Sequence, residues 1–173
     1  NGVVNANNQF SLEFYSNIKD KEEENIFFSP YSISTALAMT YEGARGQTAE
    51  EIQSVFHFPA DNSIRRSNVA AIYNQLNKGD AKYKLSTANA LWVQQDFQLL
   101  DDYKNIVETY YGGKATNVDF MGSTEQARQT INGWGEDKTN NKIKDLFPPG
   151  SLTPLSRLVL TNAIYFKGTW IKQ

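Results

Sequence analysis

The sequence predicts an α+β fold in which helices outnumber long strands, and three patterns carry that expectation. Apolar residues recur at helical spacing in several segments, beginning with Phe10, Phe14 and Ile18. Residues Lys84 to Val93 alternate, with Leu85, Thr87, Asn89, Leu91 and Val93 on one face and Ser86, Ala88, Ala90 and Trp92 on the other, as a long strand covered on both sides would. Leu158 to Tyr165 is the most strand-like stretch. Its continuation to Phe166 sets Leu158, Leu160, Asn162, Ile164 and Phe166 against Val159, Thr161, Ala163 and Tyr165. A strand apolar on both faces belongs inside a sheet, with hydrogen-bonding neighbours on each edge. The other segments can hardly supply both neighbours, so the 173 residues are expected to be part of a larger fold. The alternative is a small α+β domain with this strand at an edge.

Taken in order, Asn7 to Lys19 reads as an amphipathic helix, and Asn25 to Ser29 has strand character closed by Pro30. Ser29 followed by Pro30 starts a helix, because the serine oxygen can accept a free first-turn amide and proline's fixed φ suits the first helical position. That helix, to about Glu42, carries small and apolar residues around its circumference and should be buried on most sides. Thr48 with Glu51 forms a capping-box signature ahead of Ile52, Val55 and Phe56. A further helix places Val69, Ile72, Tyr73 and Leu76 on one face and breaks at Gly79-Asp80. After the alternating strand come a helix with Tyr103, Ile106, Val107 and Tyr110, a short strand from Ala115 to Phe120, and a helix carrying Ile131 and Trp134. Pro148-Pro149-Gly150 separates these from the last strand.

Composition removes several functions. Lys and Arg number 17 against 19 Asp and Glu, for a net charge of −2, so no basic excess exists to release counterions from a nucleic acid. The chain has no Cys and one His, which excludes thiol chemistry, Cys-based zinc sites and any two-His metal site. No cofactor fingerprint is present. No run of 18 apolar residues could cross a membrane. The opening residues, Asn1-Gly2-Val3-Val4-Asn5, lack a signal-peptide pattern, as a matured chain also would.

Candidate catalytic residues are few. His57, at a helix end in Val55-Phe56-His57-Phe58-Pro59, reads as a C-terminal cation or a partly buried side chain rather than a general base. Glu50-Glu51 and Asp101-Asp102 fall in or just before first helical turns, where negative charge complements the helix dipole. Arg65-Arg66, Lys142 and Lys144 read as solvated faces. The unusual residues are polar ones in apolar runs: Ser29 and Ser32 flanking the helix start, and Asn162 within the last strand. If enclosed, each needs a hydrogen-bond partner or costs on the order of 1 to 3 kcal/mol. Trp170, beyond Lys167-Gly168-Thr169, could anchor the strand end.

At these residues the sequence resembles the serpin family. Thr161-Asn162-Ala163-Ile164-Tyr165-Phe166-Lys167-Gly168-Thr169-Trp170 is similar to the family's third central-sheet strand. Asn25-Ile26-Phe27-Phe28-Ser29-Pro30-Tyr31-Ser32-Ile33 resembles the strand and second-helix start, and Gly43 to Ile52 the next turn and helix. Ile131-Asn132-Gly133-Trp134 with Thr139 to Ile143 resembles the helix across the sheet; Gly133 and Gly135 stand where the family more often has helix formers, lowering local propensity.

The resemblance implies a large, mostly antiparallel central sheet, only part of which this chain supplies, as the N-terminal part of a single serpin domain over residues 1–173. It implies a suicide-substrate inhibitor of serine, or also cysteine, proteases, whose cut reactive loop inserts into the sheet. That loop has no counterpart here and would belong to a C-terminal remainder, the chain's other expected partner. Ser29, Ser32 and Asn162 match the shutter that lets sheet strands part, and Trp170 the breach where insertion begins; these roles are conformational. The expected setting is extracellular, with the cytoplasm as the alternative. A non-inhibitory carrier or chaperone is the alternative function. Activation by a cofactor has no support, since Asn62 to Lys78 is not a basic stripe.

Overall fold

The computed structural model describes residues 2–21, 25–80 and 82–170. Its elements are α1 (Gly2–Ile18), α2 (Pro30–Gly43), α3 (Gly46–Phe56), α4 (Asn62–Leu76), β1 (Tyr83–Gln94), α5 (Asp101–Tyr111), β2 (Gly113–Val118), α6 (Thr124–Lys138) and β3 (Leu158–Gly168). The three strands form one sheet in the order β2-β1-β3. β1 and β2 run parallel, joined through α5, whereas β1 and β3 run antiparallel with Asn89 facing Asn162.

β1 is the strand whose two faces are both sealed. Its odd-numbered residues Leu91 and Val93 join Met39 of α2, Val107 and Tyr111 of α5, and Leu158 and Leu160 of β3 in one core. Its even-numbered residues Ala90 and Trp92 pack with Phe120, Ala127 and Ile131 on the opposite side, where Trp134 meets Trp92 edge-on at 6.1 Å. Trp92 Nε1 also donates to Thr161 Oγ1 at 3.0 Å, so the indole is satisfied inside that core. The sheet therefore lies between α2 and α5 on one side and α6 on the other.

Local chemistry explains the helix starts. Ser29 caps α2, its hydroxyl accepting from the Ser32 amide at 3.3 Å, and Pro30 takes the first helical position. Asp61 caps α4 by accepting from the Ile64 amide at 2.9 Å. At the end of α4, Asn77 reaches β1, donating to Thr87 Oγ1 at 2.7 Å and accepting from the Thr87 amide at 2.8 Å.

Several expectations need correction. Asn25 to Ser29 forms no strand; among the described residues no strand pairs with it, its backbone is irregular and Phe27 is exposed. α3 begins at Gly46 with Arg45 as an uncapped N-terminus, so Thr48 is inside the helix and Glu50-Glu51 lie in its second turn. The short strand begins at Gly113, earlier than the apolar pattern suggested, because parallel pairing with β1 starts at Asn89 opposite Gly113. β3, expected in the interior of a larger fold that this chain supplies only in part, pairs with β1 alone among the described strands, and its last residues, Phe166 to Gly168, are exposed. Arg65, read as solvated, is 1% exposed, because a buried carboxylate waits for it. α6 runs unbroken through Gly133 and Gly135, held from outside by Asn132, whose amide donates to Phe147 O at 3.0 Å and accepts from Phe147 N at 2.8 Å.

Candidate functional site: polar ties between a helix and the sheet

Ser29, Ser32 and Asn162 come together at the N-terminal end of α2. The Ser32 hydroxyl donates to Asn162 Oδ1, joining the helix to β3. Asn162 shares a face with Leu158 and Leu160, the face turned to α2, so alternation along β3 puts an amide where a leucine would otherwise pack. Its own Nδ2 donates across the strand pair to Asn89 Oδ1 at 2.6 Å, and Asn89 Nδ2 donates to the Tyr111 carbonyl at 2.7 Å. Each amide thus spends both ends on protein partners, which offsets the cost of enclosing it. An open groove beside these residues follows β3, lined by Ser29, Ser32, Ile143, Asn162, Ile164 and Phe166.

Trp170 is not part of this group. It stands past the end of β3 and is 87% exposed.

A second polar cluster lies at the other end of α2 and was not anticipated. Glu42 is 5% exposed. Its Oε1 accepts from Tyr111 OH at 2.7 Å and from Arg65 Nη2 at 3.0 Å, and its Oε2 accepts from Arg66 Nη2 at 2.8 Å. Arg65 lies over the Tyr41 ring, 4.5 Å from its centre, and also donates to Pro59 O and Asn62 Oδ1. Burial by itself would raise the Glu42 carboxyl, but the bonds from Arg66 and Tyr111 and the charge of Arg65 outweigh it and hold it below the usual value. The Tyr111 hydroxyl is pushed well above its usual range, by burial first and by Glu42 second. Tyr103, half-buried nearby with its hydroxyl donating to Met39 O at 3.2 Å, is pushed up to about 12, by desolvation first and by the charge of Glu42 second.

The catalytic candidates stay apart. His57 closes α3 in a left-handed conformation with φ 55°, and its Nε2 meets Glu13 Oε2 at 2.8 Å on the surface. Ser54 lines the same open surface hollow, but the hydrogen-bond partner of the imidazole Nε2 is Glu13 and not a serine. Asp101 and Asp102 occupy the first turn of α5, where Asp101 pairs with Lys104 at 2.8 Å. Among the described residues no group of three His, Cys, Asp or Glu side chains is placed to hold a metal.

Asn89 carried the same signal as Asn162, a lone amide within an apolar strand, and Glu42 was legible as the only charged residue in α2. Tyr111 and Arg65 carried none, since their roles arise only when α2, α4 and α5 meet.

These features set two clusters of polar groups between helices and the sheet. The family model for serpins, serine protease inhibitors, matches residues 5–173, and the chain belongs to that family. It is 43% identical over 172 residues to an uncharacterized serpin-like protein of Methanosarcina acetivorans, covering 98% of this chain and 41% of the relative. It is 36% identical to Serpin B6 of Macaca fascicularis, covering 99% of this chain and 46% of that protein. The structure of emu (Dromaius novaehollandiae) ovalbumin superimposes with a TM-score of 0.93 at 31% identity, over 99% of this chain and 48% of that one. The chain therefore spans less than half the length of these relatives.

Proposed function

We propose that this chain is the N-terminal part of an inhibitory serpin, a suicide-substrate inhibitor of serine proteases rather than an enzyme. The observation that carries the reading is the Ser32–Asn162 tie, a polar contact that fastens α2 to β3 within an otherwise apolar strand, beside an open groove. A strand edge is a template for another strand, because its N–H and C=O groups gain partners when one is added. In the complete protein a protease attacks a loop carried by the C-terminal remainder and forms an acyl-enzyme. The cut loop then enters the sheet beside β3, carrying the protease with it. Ser29, Ser32 and Asn162 hold the sheet in register on α2 until that step, and Trp170 marks the end of β3 where entry begins.

The test is incubation of the complete protein with a panel of serine proteases, read on denaturing gels and by mass spectrometry. The expected product is a denaturant-stable adduct of the protease with the inhibitor, less the peptide released from the cut loop. Loop cleavage without any adduct would overturn inhibition and leave a carrier or chaperone role.

A further inference from the structure

We propose that Tyr111, at the end of α5, and Glu42 form a second latch, which joins α2 through α5 to the sheet and must open when the sheet shifts to admit an inserted strand. The inference rests on the insertion reading above. The Ser32 tie sits in the first turn of α2. Glu42 lies ten residues further along, roughly 15 Å down the helix axis. There Tyr111, fully buried, donates its hydroxyl to Glu42 at 2.7 Å.

The main-chain carbonyl of the same tyrosine accepts from Asn89, and Asn89 faces Asn162 across the β1–β3 pair. Both ends of α2 are thereby joined to one cross-strand pair, through Ser32 at one end and through Tyr111 at the other. A helix tied at one point can pivot on a sheet; one tied at both ends cannot shift without breaking a bond, and Tyr103, whose hydroxyl donates to the Met39 carbonyl of α2 at 3.2 Å, adds a longer tie beside the Tyr111 one.

The acceptor is built to survive release. Glu42 is fixed from α4 by Arg65 and Arg66, so when the tyrosine leaves, the buried carboxylate keeps its charge partners. Gly112, left-handed at φ 62°, follows Tyr111 directly and gives the chain a turn between α5 and β2. The bond can therefore open while the charged cluster stays whole.

The experiment compares the wild-type complete protein with Tyr111→Phe, which deletes the hydroxyl and keeps the ring. A fluorophore on the reactive loop reports insertion after cleavage, and thermal unfolding is followed for the intact and cleaved forms. Loss of one hydrogen bond to a charged group should speed insertion about tenfold. It should also lower the unfolding temperature of the intact form and leave that of the cleaved form unchanged. Asn89→Ala, which removes the strand end of the tie together with the acceptor of the Asn162 amide, should shift both readouts in the same direction and by more than Tyr111→Phe, and serves if Tyr111→Phe does not fold. Wild-type insertion rates, or equal destabilisation of both forms, would overturn the latch. If cleavage of the wild type raises no unfolding temperature, the insertion reading itself falls, and the latch with it.

Discussion

Replacing Glu42 by Gln keeps the shape of the side chain and removes its charge. Arg65, 1% exposed, would then face a neutral amide where it had a carboxylate. Breaking a buried ion pair from one side typically costs about 3 to 5 kcal/mol. Arg65 retains Pro59 O at 2.9 Å and Asn62 Oδ1 at 2.7 Å, so the lower end applies, about 3 kcal/mol at neutral pH. The assay is urea unfolding of the complete protein at pH 7 and again under acid conditions. Glu42 is faced by Arg66, Tyr111 and Arg65, which outweigh its burial and hold its folded pKa below the unfolded value of 4.5. A depressed carboxyl stabilises fully above its unfolded pKa, and that contribution is lost as pH falls through the folded pKa. The gap between wild type and Glu42→Gln should therefore narrow on acidification below 4.5. A loss under about 1 kcal/mol at pH 7, the scale of a surface pair, would refute the reasoning, as would a gap independent of pH.

Two further substitutions separate structural from catalytic readings. Gly112→Ala puts a Cβ on a residue at φ 62° and within 2.3 Å of the Tyr73 ring, so it should destabilise by more than about 2 kcal/mol, measured by the same unfolding assay. His57→Ala removes only a surface contact to Glu13 and should leave protease adduct formation unchanged. A large loss of inhibition in that variant would revive a direct chemical role for the imidazole.

The parts legible in the sequence were those governed by period and local chemistry. Ser29-Pro30 located the start of α2, and the alternation through Leu91 and Val93 identified β1 as a strand covered on both faces. Asn162 was recognisable as an amide in an apolar run, and its partner Ser32 was already singled out. Charge burial was not legible. Arg65-Arg66 resembles any polar turn of a helix, and only the approach of α2 brings Glu42 within 3.0 Å of Arg65. Position within the sheet was equally hidden, because two apolar faces say that layers cover a strand and not which of its edges is paired. β3 shows this: its pairing with β1 runs from Leu158 to Gly168, and its other edge borders the groove. The irregular Asn25 to Ser29 segment differs for the same reason, since Ile26-Phe27-Phe28 has strand composition but no strand among the described residues lies alongside.

The central claim is that this sheet accepts an additional strand. The most direct measurement is the unfolding temperature of the complete protein before and after its reactive loop is cut by a protease. Insertion beside β3 adds a ladder of backbone hydrogen bonds, so the cleaved protein should unfold at a markedly higher temperature than the intact one. An unchanged or lower temperature after cleavage would show that the loop stays outside the sheet, and would contradict the account.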